Sequence, residues 1–342
     1  MKFILFDDSY TSDLYPIALT RSVADIRIGI LTIKEKWEKH LGSTVFIQTK
    51  EYLKSKYEAL EVTNEPVVFI NAAACPTSTL INDIQNLAAG EYLLHESRII
   101  AHHCAGYQNP EHLSDSREKA VSASNFTLLR YPWDIFTRNS EELNADYQFL
   151  TDGRTSAPID DSNKILGKDV FLEPGAKVMC SILNSTSGPI YIGKDAEVME
   201  NSVIRGPFAM LEHSALKLSS KIYGATTVGP YCKVGGEVNN SVLIGYSNKG
   251  HDGFLGNSVV GEWCNLGADT NNSNLKNNYG TVKAYNFTSK DYISTGLQFC
   301  GLIMGDHSKS GINTMFNTGT VVGVSANIYG GGFPPKFIPS FS

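Results

Sequence analysis

Aliphatic side chains recur along the middle of this chain at a spacing that neither a helix nor an ordinary strand produces. Every sixth residue from Ile192 onward (Val198, Ile204, Met210, Leu216, Ile222, Val228, Val234) is aliphatic or methionine. An α-helix repeats near 3.6 residues and a pleated strand near 2. The period of six predicts a parallel β-helix with triangular coils, about three hexapeptides to a turn. One side chain of each hexapeptide points into the prism, and the rest form a short flat strand and a corner. Gly193, Gly206, Gly224 and Gly229 accompany the period, as do Ser202, Ser214 and Ser220, and small residues suit tight corners. The repeat begins at Leu166, Leu172 and Val178 and slips through Asn184–Pro189. After Val234 it breaks, returning at Val260 and Leu266 and weakly at Met304, Phe316, Val322 and Ile328, with Ser310 a miss. Breaks in a solenoid read as loops extruded from a corner, and such loops tend to carry function. The two main ones are Asn239–Gly253 and Thr270–Tyr292.

The first part of the chain has a different rhythm. Residues 2–6 read as a buried strand and 45–48 as a second. Pro66–Asn71 reads as a third. Helices are expected over 23–40, where Ile26, Ile30, Ile33 and Trp37 share a face, and over 51–57, 79–89 and 138–148. Strands alternating with helices predict a parallel α/β sheet. Ligands of such sheets bind beyond the carboxyl ends of the strands, here Asp7–Arg21 and Asn71–Pro76. The organisation expected is an α/β domain over 1–150, a polar linker over 151–164 and the β-helix over 165–342.

Composition narrows the classes. The chain has 342 residues, 42% hydrophobic and 19% charged, with a formal net charge of −6. No basic run suggests nucleic acid. No apolar run reaches membrane-spanning length, and Phe3–Phe6 is followed at once by Asp7 and Asp8, unlike a signal peptide. Six scattered cysteines without a CxxC pattern argue for thiols in a cytoplasmic protein.

The breaks carry a resemblance. Lys249-Gly250-His251-Asp252-Gly253-Phe254-Leu255-Gly256 is followed by Val260-Gly261, by Asn265-Leu266-Gly267-Ala268-Asp269-Thr270 and by Asn277-Asn278-Tyr279-Gly280. This order is similar to A-G-H-L-T-Y-L-G, I-G, N-I-G-A-G-T and C-N-Y-D-G of the bifunctional UDP-N-acetylglucosamine pyrophosphorylase/glucosamine-1-phosphate N-acetyltransferase family. The resemblance implies a nucleotidyltransferase-like α/β domain followed by a left-handed β-helix. It also implies a homotrimer with acyl sites between neighbouring prisms. By the same resemblance His251 is a general base that takes a proton from a sugar amine as the amine attacks acetyl-CoA. Imidazole suits the task because, unperturbed, it titrates at about 6.5. Asn265 and Asn278 match sugar-contacting positions, and Tyr279 follows in the same motif. Related enzymes often carry a C-terminal segment near the coenzyme site, and a shortened chain is one reading of the stop at Ser342.

Departures from that pattern shape the expectation. Phe254 replaces a tyrosine, and Gly235-Gly236 and Asn239-Asn240 stand where cations hold the sugar phosphate. Phosphate calls for charge-assisted donors, leaving Lys233 and Lys249 as candidates. At the first strand the glycine loop of sugar nucleotidyltransferases is replaced by Leu5-Phe6-Asp7-Asp8-Ser9-Tyr10, and Asn71-Ala72 replaces the metal-holding G-D. Asp7 and Asp8 are then the nearest carboxylates for Mg²⁺, and Thr20-Arg21 an anion contact. The pattern through Trp37 looks like a divergent branch of sugar nucleotidyltransferases. The expected function is a transferase acting on a sugar phosphate or nucleotide sugar, with acetyl-CoA as acyl donor. The alternative is a non-catalytic nucleotide-sugar binding or regulatory protein, and a third reading is nucleotidyl transfer through a rebuilt N-terminal site.

Overall fold

The computed structural model describes residues 2–58, 65–106, 117–120 and 126–342. It divides into two compact units, Met1–Leu14, Thr20–Ile26 and Leu31–Arg130 in one, Tyr15–Leu19, Arg27–Ile30 and Tyr131–Ser342 in the other.

The first unit is built on β1 (Lys2–Phe6), α1 (Ile33–Leu41), β2 (Val45–Gln48), β3 (Val67–Asn71), α2 (Ser78–Gln85), β4 (Glu91–His95), β5 (Arg98–Cys104) and β6 (Arg117–Ala120). The sheet order is β2-β1-β3-β5-β4-β6. It is mixed, not wholly parallel: β1 runs parallel to β2 and β3, but β5 is antiparallel to both β3 and β4. The reversal is a hairpin whose two turn residues, Glu96 and Ser97, both have positive φ (45° and 66°), as a tight hairpin turn of matching twist requires.

The helix expected over 23–40 is shorter. A 3-10 turn covers Val23–Asp25, and α1 begins only at Ile33. Thr32 and Glu35 form a capping box there, each side chain bonding the other's backbone N–H. Between them, residues 27–30 belong to the second unit. Gly29 N–H donates to Asn139 (2.7 Å) and Ile30 N–H to Asp146 (2.8 Å), while Thr227 donates to the Gly29 carbonyl (2.8 Å). These bonds consume the backbone groups that a helix would have used on itself.

The second unit is a parallel β-solenoid with two helices, α3 (Pro132–Thr137) and α4 (Asn139–Thr151). Its first face stacks six strands from Lys164–Leu166 to Phe254–Gly256, and its second face nine from Val170–Leu172 to Phe337–Ile338. Its third face stacks eight from Lys177–Val178 to Asn327–Ile328. Each strand pairs in register with the one a coil away: Ile192 with Met210, Met210 with Val228, and Val228 with Leu243. The inward residues form one continuous core, with Leu183, Ile204, Met210, Leu216 and Val228 fully buried.

The period is not lost after Val234. Val238, Leu243, Lys249, Leu255, Val260 and Leu266 continue the inward columns after Val234 at spacings of four to six. Asn239–Gly253 is therefore not an extruded loop but part of ordinary coils. Ser310, a miss in the pattern, still holds an inward place beside Leu266, where its hydroxyl meets that of Thr270 at 3.1 Å. The true excursion follows Asn272 and includes an antiparallel hairpin, Lys283–Asn286 with Asp291–Ser294. The chain then rejoins the second face at Leu302.

Residues 151–164 lie within the second unit. Ala157 and Ile159 pack against the solenoid core, and Ala157 N–H donates to the Leu172 carbonyl at 2.8 Å. They cover the otherwise open end of the first coil, as a solenoid terminus demands. At the corner between second and third faces, His213, Tyr231, Tyr246, Trp263 and His307 all have positive φ, and their rings form one stack. His307 belongs to this ladder. Among the described residues no helix is long and apolar enough to cross a membrane.

The inward and outward positions make opposite demands. Met210→Ala, at a fully buried inward site, should cost about 2–5 kcal/mol. Val203→Ala, 43% exposed on the outer side of the first face, should change stability by roughly 0.5 kcal/mol or less. Denaturant titration of the two variants checks the difference.

Candidate functional site

The corner from third face to first face sets the site. It is four residues long at 199–202 and 217–220, and again at 250–253 and 267–270. Between Val234 and Glu237 it is only Gly235 and Gly236. A Cβ on Gly235 would lie 2.7 Å from the Gly250 carbonyl oxygen, and one on Gly236 2.8 Å from that of Gly253. Gly236 also has φ +73°, a conformation that L side chains rarely adopt. The missing pair of residues leaves a notch in the ridge. There lies a cleft of about 470 Å³, lined by Met199, Lys217, Leu218, Gly235, Gly236, Gly250, His251 and Asp252.

His251 stands exposed in this cleft beside Asp252. Lys249, two residues earlier, points the other way. It occupies the inward column between Val234 and Leu266, is 2% exposed, and donates from Nζ to the His251 carbonyl oxygen at 2.7 Å. Burial pushes its pKa down from the ordinary lysine value to about 8, against the pull of the Asp252 and Asp269 carboxylates.

The other expected residues are distributed differently. Lys233 and Asn265 lie on the outer side of the third face in one column with Asn248 and Lys309. Asn248 donates to the Asn265 side chain at 2.9 Å. Phe254 lies on the first face with its ring over Gly256. Asn278 and Tyr279 are exposed on the excursion, with Tyr279 69% exposed and Asn278 accepting from Gly280 N–H. None of these five lines the cleft. Lys217, Met199 and Leu218 do, and the motif reading passed over them. The signal available was the spacing of four between Val234 and Val238 in a stretch of sixes.

In the first unit, Asp7 and Asp8 lie at the carboxyl end of β1, as expected. Their oxygens are engaged. Asp7 accepts from Ser22 Oγ (3.0 Å) and Val23 N–H (2.9 Å) on one oxygen and from Thr49 Oγ1 (2.5 Å) on the other. Burial raises its pKa to about 6, although these three donors pull it down. Asp8 is held by Arg98 (2.8 Å), Asn71 (2.8 Å) and Tyr10 N–H (3.0 Å). Among the described residues no cluster of three or more His, Cys, Asp or Glu side chains is arranged for a metal. Mg²⁺ is held by as few as one or two carboxylates together with phosphates and water, and here the carboxylates of Asp7 and Asp8 accept hydrogen bonds from protein donors. Arg21 is buried at 3% exposure, and the Thr20 carbonyl accepts from Lys56 at 2.6 Å.

Residues 3–155 match the family model described as sugar nucleotidyl transferase. The match takes in the first unit together with α3 and α4, and the β-solenoid follows it. No curated protein matches the chain.

The folded chain binds the Lys249 proton less tightly than the unfolded chain, so the contribution of Lys249 to stability should rise with pH between about 8 and 10.5, while the buried Cys232 and Cys300 thiols act the other way above about pH 9 in native chain and variant alike. Lys249→Met removes the cost of the buried charge. The variant should be more stable than the native chain below pH 8, by up to about 3 kcal/mol, with the gain shrinking toward pH 10.5. Melting curves at pH 7 and pH 10 measure it. Asp7→Ala strips the acceptor from three donors and should lower stability by roughly 2–4 kcal/mol. That loss should be the same in magnesium and in EDTA; a loss seen only with magnesium would make Asp7 a metal ligand.

Proposed function

We propose that this protein is a transferase acting on a sugar phosphate or nucleotide sugar, and that its solenoid transfers an acetyl group from acetyl-CoA to an amino sugar in the His251 cleft. The observation that carries this reading is the exposed imidazole in the notch at Gly235-Gly236. The motif order from Lys249 to Tyr279 and the family match over residues 3–155 support it. In this reading His251 takes a proton from the sugar ammonium's conjugate amine as nitrogen bonds to the thioester carbon. The C–S bond then breaks, and the coenzyme A thiolate leaves and is protonated. Lys217, the cation lining the cleft, meets the anionic part of one substrate. Met199 and Leu218 offer an apolar wall. A homotrimer suits the exposed Leu166, Ile182, Val203 and Tyr223 on the first face, and light scattering would give its mass.

A second reading, nucleotidyl transfer by the first unit, is favoured by the family match alone. Pyrophosphate release from nucleoside triphosphates and sugar 1-phosphates tests it.

For acetyl transfer, the chain is incubated with acetyl-CoA and glucosamine 1-phosphate or other amino-sugar phosphates, and free thiol is followed. His251→Ala should slow release by about 10²–10⁴-fold, the usual range for a general base. No release with any acceptor, or an unchanged rate in the variant, would refute the reading.

A further inference from the structure

We propose that Lys249 is a positioning residue for His251: rooted inside the prism, its side chain grips the His251 carbonyl and fixes the corner that presents the imidazole to the cleft. This rests on the acetyl-transfer reading for its catalytic meaning, though not for its geometry.

The inward column of the third face is otherwise aliphatic around this level, with Leu216 and Val234 before Lys249 and Leu266 after it. An aliphatic residue would fill the position and avoid burying an ammonium. What lysine adds is reach. Its stem fills the core and its Nζ arrives at the His251 carbonyl, 2.7 Å away. Among the described residues this is the single hydrogen bond made to His251. The corner is flanked by Gly250 and Gly253, the latter at φ +118°, so its backbone has few side chains of its own to restrain it. A bond from within the rod supplies the restraint. Misplacing a catalytic group by about 1 Å can cost about 100-fold in rate, so a fixed carbonyl matters to the imidazole attached to it.

The charged groups acting on the ammonium are Asp252 on the same corner and Asp269 on the corner of the next coil, while the contact with His251 is to its backbone carbonyl. Lys233 lies on the outer side of the preceding strand. With its pKa lowered to about 8 by burial, the amine loses its charge as the pH rises through that value. A neutral amine makes a weaker hydrogen bond than an ammonium.

The test compares the native chain with Lys249→Met and Lys249→Gln. Turnover of acetyl-CoA and the acceptor should fall about tenfold or more in Lys249→Met, with KM within about threefold of native. The native chain should show a fall in kcat above about pH 8 that the variant lacks. Lys249→Gln, which keeps an N–H donor, should recover part of kcat without the alkaline fall, and so separates loss of the donor from loss of the charge. A purely structural lysine predicts unchanged kcat and pH profile in a folded variant, which would overturn the proposal. Histidine-labelled NMR separates this from the functional reading, the His251 resonance being the one missing in His251→Ala. If no acceptor supports thiol release, acetyl transfer falls, and the resonance alone decides: moved or broadened in the Lys249 variants, the clamp stands; unmoved, it is overturned.

Discussion

A coil of this solenoid has no core of its own. Each inward side chain meets those of the other two faces and is closed off by the ones above and below, at the spacing of paired strands, about 4.8 Å. That stacking contact explains most of the second unit. The column must continue through every coil, so Ser310 and Lys249 keep inward places although neither is aliphatic. Phe316 pairs with Asn272, so the column resumes after the excursion. The first coil needs a lid, which Ala157 and Ile159 provide. On the second face α3 and α4 contact the outer side, where Asn139 donates to the Ala225 carbonyl and to Thr227.

Polar residues serve structure and chemistry in different places. At the end of β1 the two carboxylates that look most like a site are turned into anchors. Asp7 ties together Ser22, Val23 and Thr49, while Asp8 ties Arg98 and Asn71. In the solenoid a group of open polar side chains lies where the rod is irregular. His251, Asp252 and Lys217 share one cleft, while the neighbouring Asn248 and Asn265 bond each other.

The solenoid was legible because its inward column is a one-dimensional constraint, written into the chain at intervals of six. Its later part was hard to follow because corners can shorten: Val234 to Val238 is four residues and Val238 to Leu243 five. A reading that insists on six loses the register there, though the inward residues persist. The helix over 23–40 was misjudged for a related reason. Ile26, Ile30, Ile33 and Trp37 are all buried, but the first two belong to segments whose backbone bonds go elsewhere. The capping pair Thr32 and Glu35 marked the start and was the better guide. The hairpin at Glu96-Ser97 lacked the usual Asn-Gly signature and left no trace in the pattern. Within the cleft, His251 was legible from its motif. Lys217 and Leu218 were not, because a corner residue two coils away acquires meaning only when the intervening corner is short.

A rod of uniform coils is the same at every height, and nothing on its ridge distinguishes one level from the next. Omitting two residues between Val234 and Glu237 ends that sameness. It gives the ridge an address, and it does so by subtraction, without a new loop or an unfavourable backbone beyond what glycine tolerates. Lengthening that corner to match its neighbours would leave a smoother and equally well packed prism with the histidine still present, but with no hollow for it to face.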